Sequence, residues 1–106
     1  MPMKTITATE LSQYLQDNQP VLLDVREPSE HAICTIPGST LMPMSTIVQR
    51  IDELDKQAEI ICICHHGMRS MQVAQHLSQH GFENVVNLTG GVDAWALTVN
   101  HSMPRY

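Results

Sequence analysis

The sequence contains no apolar run long enough to span a membrane, and its first residues include no cationic segment followed by a long apolar stretch. Basic residues are also few: there are six lysines and arginines among 106 residues, no basic run, and a net charge of −5. These absences argue against an anionic membrane surface or a nucleic acid as the main partner. We therefore expect a soluble, cytoplasmic protein in which local groups attract any anionic substrate.

The three cysteines are a poor disulfide framework, because their number is odd and Cys62 and Cys64 lie two residues apart in one predicted strand. We expect reduced thiols, with Cys62 in the core and Cys34 partly exposed before a turn, where a redox or resolving role stays open. The chain also lacks repeats, low-complexity tracts and linkers rich in Gly, Ser and Pro. Residues 1–106 are therefore predicted to form one domain, whose core the 42% hydrophobic residues can supply.

Predicted strands and helices alternate along the chain. Thr7 and Glu10 have the spacing of a capping box, which predicts a helix over 8–18. Short apolar runs predict strands over 21–25, 59–63 and 85–88, and a turn signal at 36–38 leads into 40–42. Further helices are predicted over 27–33, 47–54, 70–80 and 92–97. This alternation is typical of an α/β sandwich with a central, mostly parallel sheet and helices on both of its faces.

Cys64 directly follows the strand predicted over 59–63 and precedes the helix predicted to begin at Ser70. Ligands of parallel sheets bind at the carboxyl ends of the strands, which is where this cysteine falls. Successive backbone N–H groups and a helix N-terminus converge at such a position and favour a thiolate or a bound anion. The sequence therefore predicts a site for sulfur or oxyanion chemistry.

Four segments occur in an order and at separations that are typical of one protein family: Asp24-Val25-Arg26-Glu27, Ile36-Pro37-Gly38-Ser39, Cys64-His65-His66-Gly67-Met68-Arg69-Ser70 and Gly90-Gly91-Val92-Asp93-Ala94-Trp95. Through them nearly the whole chain resembles the rhodanese family. The resemblance implies a three-layer sandwich with a five-stranded parallel sheet, and a thiosulfate sulfurtransferase-type enzyme. The loop and the closing Pro104-Arg105-Tyr106 most resemble rhodanese domains associated with enzymes that adenylate sulfur-carrier proteins. The family commonly has Gly-His where this chain has Cys34-Thr35, so a role for that histidine does not transfer.

The resemblance also implies roles for individual residues. Cys64 would be the nucleophile, and the substrate-binding loop would comprise His65, His66, Gly67, Met68 and Arg69. Supporting positions are Ser70, Asp24, Arg26 and Glu30. Glu30 is the expected partner of Arg69, with a solvated surface acid as the alternative. Two further questions stay open: whether the rings of the two histidines matter or only their backbone amides, and whether Arg69 binds an anion, pairs with an acid, or does both.

Three functions are weighed. In a sulfurtransferase, Cys64 accepts a sulfane sulfur from thiosulfate or a persulfide and passes it to a thiophilic acceptor, either a small molecule or a protein. A phosphatase or arsenate reductase of the Cdc25-like type uses the same groups but has five residues between cysteine and arginine, whereas this chain has four between Cys64 and Arg69. The third function is a non-catalytic binding module, which the intact loop disfavours.

Metal binding is a further interpretation of the cysteines and histidines around the loop. Cys62, Cys64, His65 and His66 are dense in ligand types but lack the paired knuckles of a zinc site. A second pair of histidines, four residues apart in the helix predicted over 70–80, is more typical of a solvated helix face. We therefore predict neither a bound metal nor a cofactor.

Overall fold

The computed structural model describes residues 3–106 and shows a five-stranded sheet among them. Its strands are β1 (Lys4–Ile6), β2 (Val21–Asp24), β3 (Thr40–Leu41), β4 (Ile60–Ile63) and β5 (Val85–Leu88). Their spatial order is β1-β5-β4-β2-β3, and every neighbouring pair is parallel. The predicted α/β class is confirmed, and the sheet is parallel throughout rather than mostly so.

Helices cover both faces of the sheet, as predicted. They are α1 (Ala8–Tyr14), α2 (Pro28–Ile33), α3 (Ile47–Arg50), α4 (Met68–Gln79) and α5 (Gly91–Thr98). Residues of α1 and α5 share one buried cluster with the side chains of Ile61 and Ile63, while residues of α3 and α4 share the other with Cys62 and Cys64. This division follows from strand alternation, since successive side chains of β4 point to opposite faces. Within residues 3–106, no helix has the length and apolar character needed to cross a membrane.

Several element boundaries differ from the sequence prediction. Helix α1 has the predicted capping box but ends at Tyr14, because beyond Leu15 the amides of Gln16 and Asp17 bond three residues back instead of four. The segment predicted as one helix over 47–54 is a short α-helix flanked by 3₁₀ turns at Met44–Thr46 and Ile51–Glu53. The residue pattern did not indicate β1, of whose three residues only Ile6 is partly buried.

The boundary that matters for the site is the start of α4. This helix begins at Met68 rather than at residue 70, because Gly67 in the left-handed region (φ 100°) is its N-cap. Arg69 therefore lies in the first helical turn, and the loop proper is the short link from Cys64 to Gly67.

Candidate active site

Cys64 lies at the carboxyl end of β4, at the bottom of a small open cavity. Its side chain is only 1% exposed. The Sγ atom accepts a hydrogen bond from the Gly67 amide at 3.1 Å and lies 3.3 Å from the Ser70 hydroxyl oxygen. The cavity has a volume of about 150 Å³ and is lined by Cys64, His65, His66, Met68 and Arg69. The structure thus brings the predicted loop residues around one sulfur atom.

The N-terminus of α5 orients the loop backbone. The amides of Val92 and Asp93 donate to the carbonyl oxygens of Cys64 and His65 at 2.9 and 3.1 Å. In a planar trans peptide the N–H points opposite to the C=O. The amides of His65 and His66, which follow these two carbonyls, therefore point away from α5. Because Cys64 packs on the α4 side of the sheet and α5 covers the other side, those amides are turned toward the side of the thiol.

Gly67 completes the loop because no side chain fits at its position. A Cβ there would lie 3.1 Å from the Leu88 carbonyl oxygen and 3.2 Å from the Gly90 amide, besides the strained φ. Its carbonyl accepts from the Asn87 side-chain amide at 3.0 Å and from the Met71 amide at 3.2 Å. Helix α4 therefore starts beside Sγ, where its first amides have no intrahelical acceptor and can bind an electron-rich atom.

Arg69 is held by Glu30, as expected. Its two terminal nitrogens donate to the two carboxylate oxygens at 2.7 and 2.8 Å, a bidentate pair. The Tyr106 hydroxyl donates to the same carboxylate at 2.8 Å. The hydrogen bond from Arg69 is the main cause that lowers the pKa of Glu30 to about 2, and the pKa of Arg69 rises in turn. Three donors of the guanidinium remain for an anion.

Asp24 and Arg26 lie below the cavity rather than in it. They form a buried ion pair at 2.7 Å, with side chains 1% and 0% exposed. Burial acts to raise the pKa of Asp24, but hydrogen bonds from Arg26 and His31 outweigh it and leave the pKa lowered. Neither residue of the buried pair lines the cavity, so their predicted supporting role can only be indirect. The link runs through Tyr106, whose hydroxyl accepts from Arg26 at 2.8 Å and donates to Glu30.

The two loop histidines differ in their surroundings. His65 stacks on the ring of Tyr106, with centroids 3.8 Å apart and planes 9° from parallel. Burial, and then the neighbouring His66, lower the pKa of His65, so its ring is neutral at pH 7. Its Nε2 atom is buried without a hydrogen-bond partner among the described residues. His66 is 61% exposed, and its Nδ1 lies 3.9 Å from a carboxylate oxygen of Asp93.

The other two cysteines are both buried and reduced. Cys62 lies in the core as predicted, and burial raises its pKa to about 12, so it is a thiol at neutral pH. Cys34 was expected to be partly exposed, and this was wrong: it is 8% exposed. It ends α2 and packs inward beside Arg26, whose Nη1 lies 3.9 Å from its sulfur. Burial there disfavours the redox role that exposure would have allowed.

Sequence reasoning missed three residues of the site. Asn87 holds the Gly67 carbonyl, Gly91 allows the close approach of α5, and Tyr106 joins Glu30 to the buried ion pair. One signal was available, because an asparagine inside an otherwise apolar strand needs buried hydrogen-bond partners. Within residues 3–106 no group of three or more His, Cys, Asp or Glu side chains is arranged to hold a metal ion.

Comparison with known proteins identifies the family to which this fold belongs. Residues 7–98 match the family described as the rhodanese-like domain. A sulfurtransferase from Allochromatium vinosum is 40% identical over 100 residues, which cover 93% of this chain and 91% of that protein. A thiosulfate sulfurtransferase, GlpE, from Pseudoalteromonas translucida is 30% identical over 99% of this chain and 100% of that protein. The chain spans only 38% of the length of another relative, the rhodanese-like/PpiC domain-containing protein 12 of Arabidopsis thaliana, at 38% identity.

Solved structures agree with the sequence relatives. A rhodanese-like domain protein from Staphylococcus aureus superposes with a TM-score of 0.84 at 33% identity, over 98% of this chain and 99% of that one. The chain therefore belongs to the rhodanese-like family of sulfurtransferases. The adenylyltransferase and sulfurtransferase MOCS3 of Arabidopsis thaliana matches at 29% identity over 25% of its length. The predicted likeness to rhodanese domains of adenylating enzymes is thus only loosely supported.

Proposed function

We propose that this protein transfers sulfane sulfur from thiosulfate or a persulfide to a thiophilic acceptor through a persulfide on Cys64. The observation that carries the proposal is the position of Sγ, which accepts a hydrogen bond from the Gly67 amide and lies beside the start of α4. A sulfur atom there contacts a backbone donor that is fixed before any substrate binds, so this donor needs no reorganisation during the reaction.

Uptake begins with attack of the Cys64 thiolate on the outer sulfur of thiosulfate. A bond forms between Sγ and that sulfur, the sulfur–sulfur bond of the donor breaks, and sulfite leaves with its electron pair. The first amides of α4 can stabilise the sulfur now carried by Sγ. The amides of His65 and His66, which follow the two carbonyls held by α5, can do the same. In discharge the acceptor attacks that outer sulfur, and Sγ recovers the electron pair.

Arg69 supplies the fixed positive charge that an anionic donor needs. The Glu30 carboxylate accepts from two of the Arg69 donors in the bidentate pair, and this pairing orients the guanidinium on the rim of the cavity. The remaining donors can engage the sulfonate oxygens of thiosulfate. A sulfur donor without negative charge gains less from the Arg69 guanidinium. Arg69 should therefore act mainly on which sulfur donor the protein uses.

Loop length favours sulfur over phosphate. Four residues separate Cys64 from Arg69, and the cavity above the thiol measures only about 150 Å³. A phosphoryl group with three equatorial oxygens needs donors at a wider radius than one sulfur atom does. Sulfur transfer is therefore the activity that the loop supports best.

The test is an intact mass spectrum of the protein after incubation with thiosulfate. We expect one added sulfur, removed by cyanide or by a thiol reductant, in the wild-type protein. Cys64→Ser should carry none, while Cys34→Ser is a matched control that should load normally because its sulfur lies in the core beside Arg26. Loading that survives Cys64→Ser would overturn the proposal. So would efficient hydrolysis of an aryl phosphate by a wild-type protein that never acquires sulfur.

A further inference from the structure

Asn87 connects the two groups that touch the sulfur of Cys64. It lies in β5 and is 3% exposed, on the same face of the sheet as Val85 and against α4. Its side-chain nitrogen donates to the Gly67 carbonyl at 3.0 Å, which fixes the orientation of the amide group. Its side-chain oxygen is therefore the atom that accepts from the Ser70 hydroxyl.

Ser70 has one proton and two acceptors within reach. Its hydroxyl oxygen contacts the Asn87 side-chain oxygen and lies 3.3 Å from Sγ of Cys64. While Cys64 is a thiol, the S–H can donate to Ser70 and Ser70 to Asn87, so that each proton has an acceptor. A persulfide or thiolate Sγ carries no proton, and the Ser70 hydroxyl, still held by Asn87, can then share its proton with Sγ in a three-centre hydrogen bond, beside the Gly67 amide.

We propose that the Ser70 hydroxyl, positioned by Asn87, stabilises the Cys64 thiolate as it leaves the persulfide, so that this pair of residues serves sulfur discharge rather than sulfur uptake. The inference rests on the proposed function. In discharge the acceptor's lone pair forms a bond to the outer sulfur, and the bond from that sulfur to Sγ breaks with its electron pair going to Sγ. Ser70 donates a hydrogen bond to the developing charge, and no proton is transferred.

The two half-reactions differ because the charge on Sγ changes in opposite directions. During discharge the negative charge on Sγ grows, so a hydrogen bond from Ser70 is stronger in the transition state than in the ground state and accelerates the step. During uptake the charge on Sγ declines, and the same hydrogen bond stabilises the starting thiolate more than the transition state. A residue that merely held the loop in shape would affect both steps alike.

Asn87 is the positioning residue of the pair. A serine in a helix commonly bonds back to the carbonyl four residues earlier, which here belongs to His66. The contact with Asn87 holds the Ser70 hydroxyl on the side of Cys64 instead. Removing the carboxamide should release Ser70 to the helix backbone and weaken its bond to Sγ.

The test measures the two half-reactions separately, by rapid quench and intact mass. Ser70→Ala should slow discharge of the loaded protein to cyanide about tenfold, equivalent to about 1.4 kcal/mol. Its uptake rate from thiosulfate, taken on the alkaline plateau where all Cys64 is ionised, should not fall. Ser70→Thr, which keeps a hydroxyl, should restore discharge at least in part. Ser78→Ala, the same substitution at an exposed position of α4, is the matched control and should change neither step.

Equal losses in both half-reactions, or no loss in discharge, would overturn the role of Ser70. Asn87 is tested by double-mutant comparison with Ser70. Asn87→Ala and the isosteric Asn87→Asp should slow discharge in the wild-type protein, and each should slow it by a smaller factor in a protein that already carries Ser70→Ala. Full additivity would overturn the positioning role. A wild-type protein that never loads sulfur would refute the proposed function itself, before any of these variants is compared.

Discussion

Gly91 is the residue at which one added methyl group should disable the site. It begins α5 with φ 59°, and a Cβ there would overlap the Cys64 carbonyl oxygen and lie 2.5 Å from the His65 carbonyl oxygen. These are the two carbonyls that the Val92 and Asp93 amides hold. Gly91→Ala therefore forces α5 and the loop apart, and the contact atoms are backbone, which cannot rotate out of the way.

The expected magnitude has two parts. A left-handed alanine costs about 1–2 kcal/mol, and losing two backbone hydrogen bonds costs about 0.5–1.5 kcal/mol each. The unfolding free energy should therefore fall by about 2–5 kcal/mol. The amides that follow the two carbonyls would lose their orientation, and since a well-aimed backbone donor is worth about 2.7–4 kcal/mol in the transition state, even partial misalignment should slow sulfur transfer about a hundredfold.

Gly38→Ala is the matched control for Gly91→Ala. Gly38 also has a positive φ (86°), but a Cβ there would meet nothing within 4 Å. The unfolding free energy of Gly38→Ala should fall by only about 1–2 kcal/mol, the strain of a left-handed alanine, and its sulfur-transfer activity should be kept. Urea unfolding and the rate of thiocyanate formation compare the two variants directly. Equal destabilisation of the two variants, or an active Gly91→Ala, would refute the idea that close approach of α5 orients the loop.

Three substitutions test the rim of the cavity, and a fourth tests the buried Cys62. Tyr106→Phe removes the hydroxyl that joins Arg26 to Glu30 but keeps the aromatic ring, so it should raise KM for thiosulfate more than it lowers kcat; an unchanged KM would count against this link. Arg69→Lys should impair use of thiosulfate more than of an uncharged persulfide donor, whereas equal losses would indicate a purely structural arginine. Glu30→Gln should lower sulfur transfer if Glu30 orients Arg69, and faster transfer would indicate simple electrostatic steering instead. The unfolded chain binds a proton near the ordinary carboxyl pKa of 4.5 and the folded chain only near 2, so the stability that Glu30 contributes is complete above about pH 4.5 and is lost as pH falls toward 2. Urea titrations should therefore show a gap between wild type and Glu30→Gln that closes over that range, and a gap that persists at pH 2 would contradict the pairing. Cys62→Ala should leave transfer intact, since its thiol does not ionise near neutral pH.

The parts of the site that lie close together in sequence could be predicted. Cys64, Gly67 and Arg69 fall within one short segment at the junction of a strand and a helix, and that local context was enough to predict that they lie in one site. The strand over 85–88 and the capping box of α1 were predicted for the same reason, since both depend on local pattern. The pairing of Glu30 with Arg69 came from the family resemblance together with charge, and the structure shows it.

The parts that depend on tertiary approach could not be predicted. No spacing rule places Asn87 against Ser70, or Tyr106 against Glu30, 17 and 76 residues apart. Gly91 was named only as part of a segment that carries the family resemblance, because its tight contact with the Cys64 carbonyl exists only after α5 has packed on the sheet. Strand β1 escaped notice because an edge strand of three residues buries too little to show an apolar pattern.

The site stabilises sulfur mainly with dipoles and not with net charge. Each arginine of the chain is paired with a carboxylate: Arg26 with Asp24, Arg50 with Glu53, Arg69 with Glu30 and Arg105 with Asp93. The groups that touch Sγ are a backbone amide and a hydroxyl, and neither titrates near neutral pH. The paired carboxylates beside the loop have lowered pKa values, so they are ionised at neutral pH. The two groups that contact Sγ should therefore stabilise the sulfur equally well from mildly acidic to alkaline pH, because neither the amide nor the hydroxyl changes its charge over that range.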